Sequence, residues 1–336
     1  MLTSKQFEHQ LIVPDRKLDI SPIQAIAFEG YPILVKRDDL LNPYFSGNKA
    51  RKLACFLDND FPKIRKLVSY GSVQSNFLYS IAALAKIKNW QLDFYVQRIP
   101  DCLKTNPIGN YCGALELGAN IIEIVPEELS ELNLEVYLNR IKSGLPDSSL
   151  FIPEGGRTPK AEYGVNKLAV EIEVYCRENG IVDLIIMLPS GTGTTAMFLS
   201  KYFNTRFANN KHSNGKKLER TRFRVLTCAC AGDRDYLNKQ FSQLSENKND
   251  WPTVLDPQKK YHFGKLYPEH YDIWQDLKRQ TDIEFDLLYD PIGWRCLLDY
   301  LKKQPFKNVL YIHQGGLVGN QSMLARYKRK RSATKP

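Results

Sequence analysis

Leu184-Ile185-Ile186-Met187-Leu188-Pro189-Ser190-Gly191-Thr192-Gly193-Thr194-Thr195-Ala196-Met197-Phe198-Leu199 joins an apolar run to a turn of glycines and hydroxyls, then to a helix-competent run. An unbroken apolar strand is buried on both faces, the habit of parallel sheets covered by helices. In such sheets ligands gather beyond the carboxyl ends of the strands. The turn stands at that place. Its glycines let backbone N–H groups converge, its hydroxyls add donors, and the next helix presents its positive end, so a phosphate dianion fits Gly191, Thr192, Gly193, Thr194 and Thr195. The turn matches neither of the glycine-rich patterns of ATP or NAD binding.

Working outward, the same strand-then-helix alternation recurs along the chain. Candidate strands are Ile33–Val35, Lys66–Tyr70, Leu92–Gln97, Asn120–Val125, Leu150–Ile152, Arg224–Ala229 and Asn308–Ile312. Helical spacing of apolar residues marks Ser75–Lys86, Tyr163–Arg177 and Tyr271–Lys278. The expected class is α/β, with parallel sheets in three-layer domains. Three more glycine-bearing turns follow strands: Ser69 to Asn76, Pro153-Glu154-Gly155-Gly156 and His313-Gln314-Gly315-Gly316.

Phe45-Ser46-Gly47-Asn48-Lys49-Ala50-Arg51-Lys52-Leu53 opens a helix that Ser46 or Asn48 could cap. Three cations at a helix start oppose the macrodipole, and local rules tend to fail where a site needs them to. A lysine beside other cations has its ammonium form disfavoured, which suits an amine nucleophile.

Composition narrows the classes. The chain has 336 residues, 43% hydrophobic and 25% charged, enough for a large core and unlike a disordered chain. The net charge of +10 owes much to Arg326, Lys328, Arg329, Lys330, Arg331 and Lys335, which read as a basic tail. A second basic stretch, Arg206 to Arg224, reads as an exposed connection. Neither is accompanied by an aromatic stacking motif, so a nucleic-acid binder is the weakest reading. Seven cysteines without paired spacing support no disulfide framework and no metal site, and fit a reduced, cytoplasmic setting. The first residues lack the apolar core of a secretory signal, and no run is long enough to span a membrane, so a soluble protein is expected.

Five motifs, Ser46 to Leu53, Gly71 to Asn76, Pro153 to Gly156, Ser190 to Thr195 and His313 to Gly316, share order and rough spacing with one family. From about residue 10 to residue 327 the chain resembles the 1-aminocyclopropane-1-carboxylate (ACC) deaminase and D-cysteine desulfhydrase family, pyridoxal 5′-phosphate (PLP) enzymes with the tryptophan synthase β-like fold. The resemblance implies that Lys49 holds PLP as a Schiff base and shuttles protons. It implies that Lys52 helps the loop from Gly191 to Thr195 bind the phosphate, that Asn76 lies beside the ring hydroxyl, and that Ser75 contacts the substrate carboxylate as base or nucleophile. Tyr289 matches the active-site tyrosine, and Asp290 the position facing the pyridine nitrogen. A carboxylate there strengthens the electron sink and leans towards the deaminase type. A second tyrosine is expected upstream; Tyr261 and Tyr267 both qualify, and Tyr261 is preferred.

The chain departs from the family at Phe77, which replaces a polar residue, at Gln314, which replaces Leu or Thr, and at Gly293-Trp294-Arg295, which puts a bulky ring at an expected pocket wall. The implied architecture is a larger PLP-binding domain, residues 1–61 and 156–336, with a smaller inserted α/β domain, residues 62–155. The implied activity is deamination or elimination on a small amino-acid substrate, releasing ammonia and a 2-oxo acid, in a homodimer. The alternative is a PLP-binding protein with lost or altered activity.

Overall fold

Asp183–Ser190 (β7) is the central strand of a six-stranded sheet, and all but its first residue are buried. The structure, a computed structural model, describes residues 18–42, 44–125, 133–209, 221–304 and 306–333. Alternate side chains of β7 enter opposite cores, as the period of a strand requires. Ile185 and Met187 face one apolar cluster with Leu277 and Leu297, while Leu184, Ile186 and Leu188 face another with Leu168 and Phe198. The burial on both faces explains why this stretch carries no polar alternation.

The six-stranded sheet has the order β1 (Ile23–Phe28), β2 (Tyr31–Arg37), β10 (Val309–His313), β7, β8 (Arg222–Ala229), β9 (Thr253–Leu255). All neighbours run parallel except β1 and β2, a hairpin turned at Glu29 and Gly30. Neither β1 nor β9 is among the strands expected from sequence. A second sheet, order β5 (Asn120–Glu123), β4 (Gln91–Val96), β3 (Lys66–Tyr70), β6 (Ser149–Phe151), is wholly parallel. Its strands all lie between residues 62 and 155, and none pairs with the six-stranded sheet among the described residues.

Helices α1 (Gly47–Asp58) and α2 (Asn76–Lys88) follow β2 and β3. Between β4 and β6 come α3 (Asp101–Thr105), α4 (Gly109–Glu116) and α5 (Leu134–Ser143). Then α6 (Ala161–Glu178) precedes β7, and α7 (Thr194–Asn209), α8 (Arg234–Ser242), α9 (Pro268–Thr281) and α10 (Asp290–Lys303) lead to β10, with α11 (Gly319–Ala333) last. Proline sits in the first turn of α9 and of α10, where its missing N–H leaves no helical bond unmade.

Two sequence readings need correction. The supposed basic tail is largely α11, whose Met323 and Tyr327 are buried against Leu287, and whose Arg326 donates to the Gly264 carbonyl at 2.7 Å. Trp294 is no pocket wall: it is fully buried in the core beside Phe28, Phe285 and Tyr311. Resemblance placed it by its neighbours in sequence, but residue 294 falls on the inward face of α10. Most of the Arg206 to Arg224 stretch, residues 210–220, lies outside the described residues. No described helix is long and apolar enough to cross a membrane, and no group of described His, Cys, Asp and Glu is arranged to hold a metal.

Candidate active site

The carboxyl ends of β2, β10 and β7 bring α1, the His313–Gly316 turn and the Gly191–Thr195 loop together. Ser46 is the N-cap residue of α1, yet neither its hydroxyl nor Asn48 caps the helix; the Asn48 N–H instead meets the Gln314 carbonyl at 3.2 Å. The Asn48 amide donates to Gln314 Oε1 at 2.6 Å and accepts from Lys49 Nζ at 2.9 Å. Burial lowers the Lys49 pKa to about 8, against the pull of Asp286 in the other direction. Arg51 points away from the site. Its guanidinium binds Asp38 at 2.9 Å and Glu171 at 2.6 Å, and Glu171 also pairs with Lys36. The three cations at the start of α1 are thus split, one neutralised beneath the helix and two left facing the site.

Lys52 is one of those two. Its Nζ donates to the Gly155 carbonyl, and burial, then Lys49 and Arg157, hold its ammonium well below the ordinary lysine range. Gly155 has φ +69°, and a β-carbon there would stand 2.9 Å from Thr192 Cγ2. The Pro153–Gly156 turn therefore presses bare backbone against the Gly191–Thr195 loop. Thr192 and Thr194 hydroxyls lie 3.2 Å apart, and the buried Thr195 Oγ1 has no hydrogen-bond partner. A buried hydroxyl without a partner is costly, and an anion at the start of α7 would satisfy it. This donor set fits a phosphate group.

Opposite stands an acidic wall. Asp286 is buried; its Oδ2 accepts from Asn76 Nδ2 at 2.9 Å and its Oδ1 from the Leu288 and Tyr289 N–H groups, each at 2.7 Å. Burial pushes its carboxyl up from the usual range. Asn110 fixes the Asn76 amide by donating to its Oδ1 at 2.7 Å. Asp290 is also buried, with Tyr311 O–H on Oδ1 at 2.7 Å and Asp286 N–H on Oδ2 at 2.9 Å. Lys49 Nζ lies 5.8 Å from the centre of the Tyr289 ring. One cavity is lined by Lys49, Asn76, Gly191, Asp286, Tyr289 and Asp290 together with Asn48 and Gln314; Lys52 and Thr192 to Thr195 are not among its lining residues.

Sequence reasoning missed Asp286, although it stands three residues before Tyr289. Among the expected residues, Ser75 is the N-cap of α2, its Oγ accepting from Leu78 N–H at 3.1 Å, and it does not line this cavity. Tyr261 stands apart too. It is buried against Tyr267 and His270, whereas the ring packed on Tyr289, at 5.4 Å, belongs to Phe263. Phe77 is buried behind the cradle, where a β-carbon on Gly156 would meet its ring at 3.3 Å. Gln314 bridges α1 and β7, its amide nitrogen donating to the Pro189 carbonyl at 2.5 Å.

No protein-family model matches the chain. It is 24% identical over 299 residues to a Thermotoga maritima protein provisionally named 1-aminocyclopropane-1-carboxylate deaminase, covering 86% of this chain and 90% of that one. A mitochondrial Arabidopsis thaliana protein named bifunctional D-cysteine desulfhydrase/1-aminocyclopropane-1-carboxylate deaminase is 23% identical over 321 residues, 89% of this chain and 77% of its own length. The crystal structure of an ACC deaminase homologue matches with a TM-score of 0.70 at 20% identity, over 92% of this chain and 94% of that one. The fold is the tryptophan synthase β-like fold, and these curated homologues carry the family names that the five motifs suggested.

Proposed function

We propose that the chain is a PLP-dependent lyase or deaminase of the ACC deaminase and D-cysteine desulfhydrase type, acting on a small amino acid and releasing ammonia and a 2-oxo acid. The observation that carries this reading is a depressed lysine amine, Lys49 at about 8, in a cavity that the Gly191–Thr195 loop reaches at Gly191, the same loop holding a buried Thr195 Oγ1 without a partner. When bound, PLP supplies an aldehyde for the lysine amine and a ring that accepts electrons released at the substrate α-carbon.

The residues of the chain do the rest. Lys52, Gly191, Thr192, Gly193, Thr194 and Thr195 would hold the phosphate. Asn76, with its amide oriented by Asn110 and Asp286, would present N–H towards the ring hydroxyl. Asp290 would face the ring nitrogen. Once substrate occupies the site, the neutral amine of Lys49 can take a proton from carbon and return it. Burial, with Asp286 next, holds the Tyr289 phenol well above its ordinary range, so it stays protonated and can donate to a departing group. Ser75, whose oxygen caps α2, would turn its O–H towards a substrate carboxylate.

In this reading residues 62–155 form the smaller domain inserted into the larger one. A homodimer is part of the same proposal on the family resemblance, and a cytoplasmic location is proposed with the support of the free cysteines. A second reading, PLP binding with altered turnover, is favoured by one observation: Phe263 brings no hydroxyl to the side of Tyr289, where the resemblance leads one to expect a second tyrosine. Incubating the PLP-loaded protein with both enantiomers of cysteine and serine, and with ACC, separates the readings. Release of ammonia with pyruvate or 2-oxobutyrate is expected. Spectral changes with every amino acid but no 2-oxo acid would leave the second reading in place.

A further inference from the structure

Trp294 and Tyr311 do not line the cavity, yet they stand behind its acidic wall. Their rings stack with centroids 4.2 Å apart and an interplanar angle of 15°, and Phe285 packs edge-on against both. The Tyr311 ring is thereby fixed, with its O–H on Asp290 Oδ1 at 2.7 Å. Gly293 keeps that approach open, since a β-carbon there would stand 2.5 Å from the Tyr311 oxygen. The Asp286 N–H takes the other carboxylate oxygen at 2.9 Å. A carboxylate has about four acceptor sites, so each oxygen keeps capacity beyond these two bonds, and Asp290 is among the residues that line the cavity.

Asp290 is hard to keep charged. Burial, then Asp286 and Asp39, push its carboxyl well up, and the Tyr311 O–H with the Asp286 N–H act in the opposite direction. Tyr311 is itself a firm donor, because burial and Asp290 hold its phenol well above the ordinary range. Its ring packs between Trp294 and Phe285 in the core, where a hydroxyl is costly unless bonded. A phenylalanine would fill the same space without that penalty.

We propose that Tyr311 is a positioning residue: its hydrogen bond to Asp290 Oδ1 fixes the orientation of this carboxyl group, which lines the cavity and would face the ring nitrogen of bound PLP. The inference rests on the PLP reading above. It also gives Trp294 a place in the site: the indole locks the ring that carries the donor.

Tyr311→Phe keeps the stack and removes one hydroxyl. The full chain, Y311F, Asp290→Asn and the double variant are loaded with PLP carrying ¹⁵N at the ring nitrogen. The ¹⁵N shift reports protonation, and kcat and KM are measured beside it. Y311F is expected to move the signal towards unprotonated pyridine and to lower kcat about tenfold or more with little change in KM. In the D290N background the same substitution should add nothing. An unmoved signal in Y311F, or equal effects in both backgrounds, overturns the inference and leaves the PLP reading standing. If Y311F folds poorly, Trp294→Phe takes its place: a shift in the same direction supports the proposal, and none overturns it. A wild-type chain that takes up no PLP overturns the cofactor reading and this inference with it.

Discussion

A β-carbon on Gly47 would stand 1.9 Å from the carbonyl oxygen of Gln314. The turn that starts the Lys49 helix and the turn that follows β10 therefore meet through bare backbone, with the Asn48 N–H bonded to that same carbonyl. Gly47 also has φ +67°, a conformation that alanine adopts at a penalty of roughly 1–2 kcal/mol. Gly47→Ala should lower stability by more than roughly 2 kcal/mol, because the clash adds to the strain, and should loosen the retention of PLP. Gly30→Ala is the control. It has φ +78° with nothing within 4 Å, so only the strain is expected there. Denaturant unfolding of the two variants measures the difference.

Lys49 gives a prediction in pH. With its pKa lowered to about 8 by burial, the free amine falls about tenfold for each pH unit below that value. An ordinary lysine would need a pH more than two units higher for the same fraction. The rate at which the cofactor-free chain captures PLP should therefore climb from roughly pH 6 to roughly pH 8 and then level off. Stopped-flow absorbance reads it, and a rate still climbing steeply at roughly pH 10 would show an amine of the ordinary kind.

The cradle gives a third. Thr195→Val keeps the shape of the side chain and removes the hydroxyl that lacks a partner. A charge-assisted hydrogen bond contributes about 1.5–3 kcal/mol, so PLP should bind roughly ten- to a hundredfold more weakly. Pyridoxal, which has no phosphate, should bind both forms alike, and Thr195→Ser should recover most of the loss. Equilibrium titration with the two ligands decides it; equal weakening of both would place Thr195 away from the phosphate.

What could be read from residues alone follows from where periodicity and chemistry agree. β7 was nearly legible because a strand buried on both faces leaves an unbroken apolar run, and β3 was legible to the residue from the short Leu67-Val68 core and the glycine turn that follows it. β1 is largely exposed, only Phe28 of its six residues being buried, and its short Ala-Ile-Ala-Phe run is broken from Ile23 by Gln24, while β9 is three residues long. In the candidate site, Lys49 and Gly191, which line the cavity, stood out in sequence because glycines, hydroxyls and cations cluster visibly along the chain there. Asp286 did not, since a lone carboxylate in an apolar segment looks like a surface residue until burial shows otherwise. The choice of Tyr261 over its neighbours turned on side-chain direction. The loop from Leu255 to Pro268 turns Phe263 towards Tyr289 and Tyr261 into the core, and no periodic pattern announces that.

The central claim is a covalent bond between Lys49 and PLP. Loading the full chain with PLP, reducing it with borohydride and mapping the modified peptide by mass spectrometry tests that bond directly. One phosphopyridoxyl group is expected, on Lys49, and none at that position in Lys49→Ala. Modification of another lysine in the wild type, or a loaded and reduced chain that carries no adduct, would contradict it.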